Sequence, residues 1–195
     1  MTVIAPSWWP WYESEVTPLH VMVKRLLACW DTATEAQLHD GRVWYPNAKQ
    51  EAKRISKATG VSHRRVVRVI AAVSPRQQWV VNLRSAEAIC NGNSAGVIKT
   101  FAAVARLEVA GVKAINGRKS IDFDAAMWGD PDRSPIDRWT GGLVLGEKHM
   151  ANRQLERVGW YDRAVQAHEV VAAQIGVAQS VLQATTWGIY RGRFV

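Results

Sequence analysis

Lys119 and Asp137 are the residues whose types and spacing most directly imply chemistry. They lie 18 positions apart, with one helix predicted between them. A deprotonated lysine amine can attack an electrophilic carbon and form a Schiff base, and an aspartate can stabilise a developing cation or accept a proton. A purely structural interpretation stays open, in which Ser134 is a helix N-cap, Pro135 is at N1 and Asp137 at N3 completes a capping box.

A tight turn precedes the lysine. Asn116-Gly117 is a strong turn dipeptide, because both residues tolerate a positive φ. The backbone N–H groups at the start of the following helix, reinforced by the cation of Arg118, can hold a phosphate. Asn116, Gly117, Arg118 and Ser120 are therefore candidate DNA contacts, unless the stretch is only an ordinary helix–helix turn.

The positive charge is concentrated in the middle of the chain. The net charge is +8, but residues 46–120 contain fourteen Lys and Arg against three Asp and Glu. The flanks, residues 1–45 and 121–195, are close to neutral. Such a confined excess predicts a surface that binds nucleic acid. The alternative is a set of basic helices that are simply solvated.

The composition is that of an ordinary globular protein. Of the 195 residues, 48% are hydrophobic and 22% are charged, which excludes a disordered chain. No apolar run approaches the length of a membrane span, and the first residues lack the pattern of a signal peptide. The two cysteines, Cys29 and Cys90, make neither a disulfide framework nor a metal cluster site. We therefore expect a cytoplasmic protein without membrane contacts or structural metal.

The hydrophobic periodicity is helical along the whole chain. We predict an all-α protein of about nine helices, without alternating strand patterns or internal repeats. One helix is predicted over residues 47–59 and another over residues 63–73. Pro75 breaks the second of these, and the next helix is predicted to begin near Val80. Residues 76–79 are thereby left in a short connection from which their side chains project.

The order of these motifs resembles the helix-hairpin-helix (HhH-GPD) DNA glycosylase superfamily, and within it the endonuclease III branch. In that family the hairpin ends Gly-x-Lys, the lysine begins a helix, and an aspartate follows at a (V/I)-D-(T/R) helix start. This chain has Gly117-Arg118-Lys119 and Ile136-Asp137-Arg138 at the family's distance. Upstream, AAVSPRQQWVVNLRSAEAI is similar to the family's LSxQ…VN…A helix–turn–helix. The resemblance covers roughly residues 60–145.

The chain departs from the family pattern at two places. The family hairpin is usually Leu-Pro-Gly-Val-Gly, whereas residues 113–117 read Lys-Ala-Ile-Asn-Gly and lack the proline and the first glycine. The four-cysteine iron–sulfur loop of the family is absent, and LQATTWGIYRGRF stands in its place. This layout is similar to a divergent set of small relatives encoded by bacteriophages.

The resemblance implies a bilobal all-α fold, that of a helix-hairpin-helix DNA glycosylase. Residues 1–195 would form a single compact unit. Within it, residues 46–140 would be a central helical lobe with the hairpin and the DNA-binding face, and residues 1–45 and 141–195 would pack together as the second lobe. The resemblance also implies double-stranded DNA as the partner, a monomeric protein and no cofactor.

The resemblance and the residue types together give roles to single side chains. Lys119 would be the nucleophile, with its pKa lowered by burial beside Arg118, and Asp137 its electrostatic partner. Gln77 or Gln78 would fill the gap left by an extruded base, and Trp79 would stack on an unpaired neighbour. Further DNA contacts would come from Arg64, Arg65, Arg68, Arg76 and Asn82, and walls of the base pocket from Trp44, Tyr45 and Trp139.

Three functions are compatible with the sequence. The first is a DNA glycosylase that acts on a base, normal or modified, flipped out of the duplex. A Schiff-base lyase activity at abasic sites is compatible with this function. The second is a DNA-binding protein on the same scaffold that has lost its chemistry, as the missing hairpin glycine would favour. The third is an enzyme that hypermodifies the bases of phage DNA, since some helical domains of the superfamily serve that purpose.

Overall fold

The computed structural model describes residues 17–146 and 159–192. All regular secondary structure of these residues is helical, which confirms the all-α prediction for this part of the chain. Its nine helices are α1 (Leu19–Trp30), α2 (Glu35–Thr59), α3 (His63–Val73), α4 (Trp79–Cys90), α5 (Lys99–Ala110), α6 (Arg118–Trp128), α7 (Arg138–Leu145), α8 (Trp160–Ile175) and α9 (Gln179–Gly192). None of these helices is long and apolar enough to cross a membrane.

Helix α2 is longer than the sequence pattern indicates. It begins at Glu35 rather than near residue 47, because Thr34 and Gln37 form a capping box in which each side chain accepts a hydrogen bond from the other's backbone N–H. Pro46 lies inside the helix and is exposed, so the backbone hydrogen bond that it removes is on the solvent side. The added turns bring Trp44 and Tyr45 into helical register with the rest of α2.

The core consists of two clusters of buried apolar side chains. The first surrounds α3, where Val66 and Ile70 are fully buried, and also contains apolar residues of α2, α4, α5 and α6. The second is formed by α1, α7, α8 and α9, with Met22 and Leu26 among its fully buried members. The clusters alone do not set the borders of lobes. The division at residues 46 and 140 therefore stays a prediction, and parts of the second lobe fall outside the described residues.

Helices α2 and α9 join the two clusters. Gly41 lies so close to α9 that a Cβ at this position would meet Thr185 Oγ1 at 1.8 Å. One turn further on, the Tyr45 hydroxyl donates to Gln183 Oε1 at 2.7 Å, and Gln183 Nε2 donates to Thr140 Oγ1 at 3.3 Å. These buried hydrogen bonds tie α2 and α9 to the first turn of α7.

A buried carboxylate holds the connection between α5 and α6. Glu108 Oε1 accepts hydrogen bonds from the backbone N–H groups of Ala114 at 2.5 Å and Ile115 at 2.9 Å. Arg68 of α3 pairs with the same carboxylate. Burial by itself would raise the pKa of Glu108, but the hydrogen bonds outweigh it and hold that pKa below its ordinary value. The turn begins at Gly111, whose φ of +90° favours glycine.

We predict that Glu108→Gln lowers the free energy of unfolding by about 3 kcal/mol, because the largely buried guanidinium of Arg68 loses its hydrogen-bonded carboxylate and keeps the more distant Asp124, at 3.9 Å. Because the folded-state pKa of Glu108 is lowered, its stabilisation is complete above the ordinary glutamate pKa. That stabilisation is lost as the pH falls through the lowered value. Urea denaturation at several pH values, followed by circular dichroism, measures both effects.

Glu51→Gln is the matched control. Glu51 pairs with Arg54 on the surface of α2 at 2.9 Å, and both side chains are largely solvated. Exposed pairs of this kind contribute about 0.5 kcal/mol or less. Equal losses of stability in the two variants would show that Glu108 does not anchor the hairpin.

Candidate active site

Lys119 is the second residue of α6, and its side chain points to the end of α3. Its Nζ donates a hydrogen bond to Ser74 Oγ at 2.9 Å and lies 5.2 Å from the centroid of the Phe123 ring. Ser74 is 7% exposed, and its hydroxyl donates to the Ala71 carbonyl at 3.0 Å. The lone pairs of the hydroxyl oxygen therefore accept from the amine. The amine is held in a half-buried position between α3 and α6.

Burial lowers the pKa of the Lys119 amine, because the charged form loses hydration. The charge of Asp137 acts in the opposite direction without cancelling the effect of burial. The prediction that Arg118 lowers this pKa is wrong, because burial and not the charge of Arg118 is the cause. The Arg118 guanidinium pairs with Asp162 of α8 and lies 4.4 Å from the centroid of the Tyr161 ring.

Asp137 is the N-cap of α7. Its Oδ1 accepts hydrogen bonds from the backbone N–H groups of Trp139 and Thr140, both at 2.9 Å. The capping box predicted from Ser134 is therefore wrong, since the helix begins at Arg138 and Ser134 is buried outside it. A single residue, Asp137, performs the capping that the sequence pattern divided between two.

The other carboxylate oxygen of Asp137 contacts the last helix. The indole Nε1 of Trp187 in α9 donates to Asp137 Oδ2 at 2.9 Å. Trp187 lies 50 positions after Asp137, and no motif or spacing in the sequence points to it. Ser74 belongs to the AAVSPRQQW stretch that resembles the family's LSxQ motif, but the sequence does not indicate its contact with Lys119. Both contacts come from the way the helices pack.

Two buried groups fix the segment that carries Asp137 against the helix that carries Lys119. The Tyr161 hydroxyl of α8 donates to Asp122 Oδ2 at 2.6 Å and accepts from the backbone N–H of Ile136 at 3.2 Å. Burial and the bond to Asp122 both raise the pKa of Tyr161, so the hydroxyl keeps its proton and remains a donor. Asp122 lies one turn from Lys119 on the same face of α6.

An aromatic cluster adjoins the amine, with Trp44 at its centre. Trp44 lies at ring-centroid distances of 5.3 Å from Trp79, 5.9 Å from Phe123 and 6.4 Å from Trp187. Tyr45 also contacts Trp44 but is buried, and burial is the main cause that raises its pKa. The three tryptophans are half-buried and so present part of their rings to solvent.

Trp139, the third residue predicted to wall the base pocket, occupies a different environment. Its side chain packs against the second core cluster, and the guanidinium of Arg138 lies 5.3 Å from the centroid of its ring. Trp139 therefore lies apart from the aromatic cluster around Trp44. Its place in the wall of a base pocket stays a prediction.

The connection between α3 and α4 carries the residues predicted to invade a duplex. Arg76 and Gln78 are exposed, and Arg76 has a φ of +64°, a strained conformation for a residue with a Cβ. Gln77 is half-buried, and Trp79 is already the first residue of α4. Asn82 is buried one turn later. Within the described part of the chain, the side-chain oxygens of Gln77 and Asn82 have no hydrogen-bond partner.

The three arginines of α3 differ in how much of their charge is available. Arg64 pairs with Asp124, and Arg68 pairs with Glu108, so acidic neighbours offset both charges. Arg65 is exposed, and among the described residues its side chain donates to one group, the backbone carbonyl of Val109 at 3.3 Å. The three arginines line a cleft of about 350 Å³ together with Glu108, Gly111 and Lys113. Of the three arginines, Arg65 keeps the most of its charge available, and the phosphate contacts of α3 stay a prediction.

The start of α6 keeps the features expected of an anion site. Asn116 and Gly117 are exposed, and Gly117 is an N-cap without a side-chain hydrogen bond to the helix. Arg118 is exposed beside them, although its charge is shared with Asp162, and Ser120 is half-buried. Backbone N–H groups at such an uncapped start remain available to a ligand or to water.

A family model matches residues 11–194, which is nearly the whole chain. The chain belongs to the DUF7178 family. This family is described as one of unknown function. No curated protein and no solved structure matches the chain.

The chemical groups that converge in this DUF7178 protein are an amine of lowered pKa, a carboxylate and several aromatic rings. Among the described residues, no group of three or more His, Cys, Asp or Glu side chains is placed to hold a metal ion. An amine that is more readily deprotonated than an ordinary lysine is better suited to act as a nucleophile. The negative charge of Asp137, which acts on this amine, can also stabilise positive charge that develops on a substrate.

We predict that the Lys119 amine titrates below the ordinary lysine value. Reductive methylation with ¹³C-formaldehyde gives one NMR signal for each lysine, and the signal lost in Lys119→Gln identifies this residue. Its midpoint should lie below the ordinary value because burial destabilises the charged amine. Lys57→Gln, at an exposed site of α2, should leave the shifted signal in place. A Lys119 midpoint at or above the ordinary value would contradict the burial of the amine.

Proposed function

We propose that this protein is a DNA glycosylase-like enzyme that acts on a base flipped out of double-stranded DNA. Lys119 is the nucleophile, and Asp137 stabilises the positive charge that develops on the sugar. The single observation that carries the proposal is the half-buried amine of lowered pKa, held by Ser74 and close enough to Asp137 to feel its charge. The motif order shared with DNA glycosylases supports the same assignment.

The proposed reaction uses only the residues described. The neutral amine of Lys119 attacks C1′ of the flipped nucleotide, and the bond between C1′ and the base breaks. The base leaves with the bonding electrons and takes a proton from water. The attacking amine then loses its two protons: one goes to the hydroxide left by that water, and the other goes to the ring oxygen O4′ as the C1′–O4′ bond breaks. The sugar ring opens, and an imine joins Lys119 to C1′. Water then takes a proton from C2′ of the imine, the C2′=C3′ double bond forms, and the 3′ phosphate leaves with the electrons of its bond to C3′, which cleaves the strand.

Exposed groups of α3, of the connection between α3 and α4, and of the hairpin support DNA binding. The exposed cations of Arg65, Arg76 and Lys113 and the uncapped start of α6 can contact phosphates without reading sequence. The half-buried rings of Trp44 and Trp79 can stack on an unpaired base.

A DNA-binding protein without chemistry is the second candidate. The contacts of Asp137 favour it, because both carboxylate oxygens already have structural hydrogen bonds, to the start of α7 and to Trp187. A carboxylate with this many N–H partners can be explained by capping alone. The two candidates differ in whether a covalent bond to DNA forms.

We predict that borohydride traps a covalent complex between the protein and duplex DNA that carries an abasic site, because hydride reduces the imine to a stable amine. Lys119→Gln should abolish the complex while leaving DNA binding unchanged. Lys57→Gln, which removes an exposed lysine of α2 that has no predicted DNA contact, should trap as the wild type does. The complex is measured as a shifted band on a denaturing gel.

The trapping experiment should be extended to a panel of duplexes with modified bases. In such a panel Asp137→Asn should slow base release by about 100-fold or more, because the electrostatic stabilisation is lost. Asparagine is also a good N-cap, so this variant keeps the start of α7. A wild-type protein that binds duplex DNA but never traps on any substrate supports the second candidate.

We predict that duplex affinity falls steeply as salt increases, because the exposed cations displace counterions from the phosphates. Arg65→Glu combined with Lys113→Glu should weaken binding to all sequences alike. These two residues are chosen because reversal of Arg64 or Arg68 would also break an ion pair of the fold. Lys24→Glu, an equal charge change at an exposed site of α1, is the control. Affinity that does not depend on salt would exclude this surface as a DNA-binding face.

A further inference from the structure

The orientation of the Asp137 carboxylate depends on a helix that none of the sequence motifs includes. Oδ1 is occupied by two backbone N–H groups at the start of α7. Those bonds fix where the carboxylate lies but leave Oδ2 without a partner from its own helix. The indole N–H of Trp187 supplies that partner at 2.9 Å. A carboxylate has about four acceptor positions, so three N–H donors leave about one of them open.

The Trp187 ring is itself held in place from several sides. Its centroid lies 6.4 Å from that of Trp44, with an angle of 61° between the ring planes. The guanidinium of Arg191, one turn later in α9, lies 4.8 Å from the Trp187 ring centroid. Residues of α9 near Trp187 are anchored to other segments by buried hydrogen bonds, such as that from Gln183 Nε2 to the Pro135 carbonyl at 3.3 Å. The N–H donor therefore has little freedom to turn away from Asp137.

We propose that Trp187 is a positioning residue, which holds Asp137 so that the open acceptor position of its carboxylate faces the site of Lys119. Without the indole N–H, the carboxylate can rotate about its side chain and pair more closely with the lysine ammonium. The C-terminal helix α9 thus completes the site, in the part of the chain where the iron–sulfur loop of DNA glycosylases would stand. The contribution of Trp187 to base release rests on the proposed function, whereas its effect on Asp137 does not.

The test replaces Trp187 by benzothienylalanine, in which sulfur stands in place of the indole N–H and the ring shape is kept. Trp187→Phe is a second variant with natural amino acids. The same replacement at Trp128, which is 40% exposed at the far end of α6, is the control. Each replacement is also made in an Asp137→Asn background, so that any effect transmitted through the carboxylate can be separated from a general structural effect.

The first readout is the titration of Lys119 by ¹³C-methyl NMR, which requires no enzymatic activity. Loss of the Trp187 N–H should raise the Lys119 midpoint, because a carboxylate that is free to approach the ammonium stabilises its charge. In the Asp137→Asn background the replacement should have no effect. An unchanged midpoint in the wild-type background, or an equal change in both backgrounds, would overturn the inference.

The second readout is base release in a single turnover on the substrate that the wild type processes. The Trp187 replacement should slow it by about tenfold or more while duplex affinity stays unchanged, because the lost hydrogen bond is to a charged group. It should cause no further slowing beyond that of Asp137→Asn alone. If the Lys119 midpoint responds as expected but the wild type neither releases a base nor traps, the positioning stands and the proposed function fails.

Discussion

The hydrogen bond from Tyr161 to Asp122 is the contact on which the candidate site most depends. Lys119 and Asp137 belong to separate segments, and a contact between these segments must fix the position of one residue relative to the other. Tyr161 provides it, since its hydroxyl binds Asp122 at 2.6 Å and the backbone of Ile136 at 3.2 Å. All three groups are buried, and an unpaired buried polar group would cost about 1–3 kcal/mol. These hydrogen bonds therefore strongly favour one position of the segment that carries Asp137 relative to α6.

Asp137 combines a structural duty with the proposed chemical one. As the N-cap of α7 it lies at the positive end of a helix dipole, where an anionic side chain is favoured. Capping occupies Oδ1, and the indole of Trp187 occupies part of Oδ2. The same bonds that stabilise the helix thus hold the carboxylate in one orientation. A residue placed in this way can stabilise charge on a substrate without being reorganised first.

The distribution of charge in three dimensions differs from its distribution along the sequence. Residues 46–120 carry a large excess of cations, but acidic residues from later in the chain reach back to them. Asp124 pairs with Arg64, and Asp162 pairs with Arg118. The remaining exposed cations of α3 and the hairpin form a smaller basic surface than the sequence implies. Counting charges by segment cannot detect this, because an ion pair between distant segments depends on how the helices pack.

The sequence by itself determined the helical class of the described residues and the helical placement of Lys119, because hydrophobic periodicity, Gly and Pro are local signals. It did not locate the start of α2 or of α7, since Thr34 and Asp137 cap through side-chain bonds that compete with equally plausible patterns nearby. The partners of the two candidate catalytic residues were decided by tertiary structure alone. Ser74 lies 45 positions before Lys119, and Trp187 lies 50 positions after Asp137. No periodicity relates residues so far apart, so only the packing of α3 on α6 and of α9 on α7 brings them together.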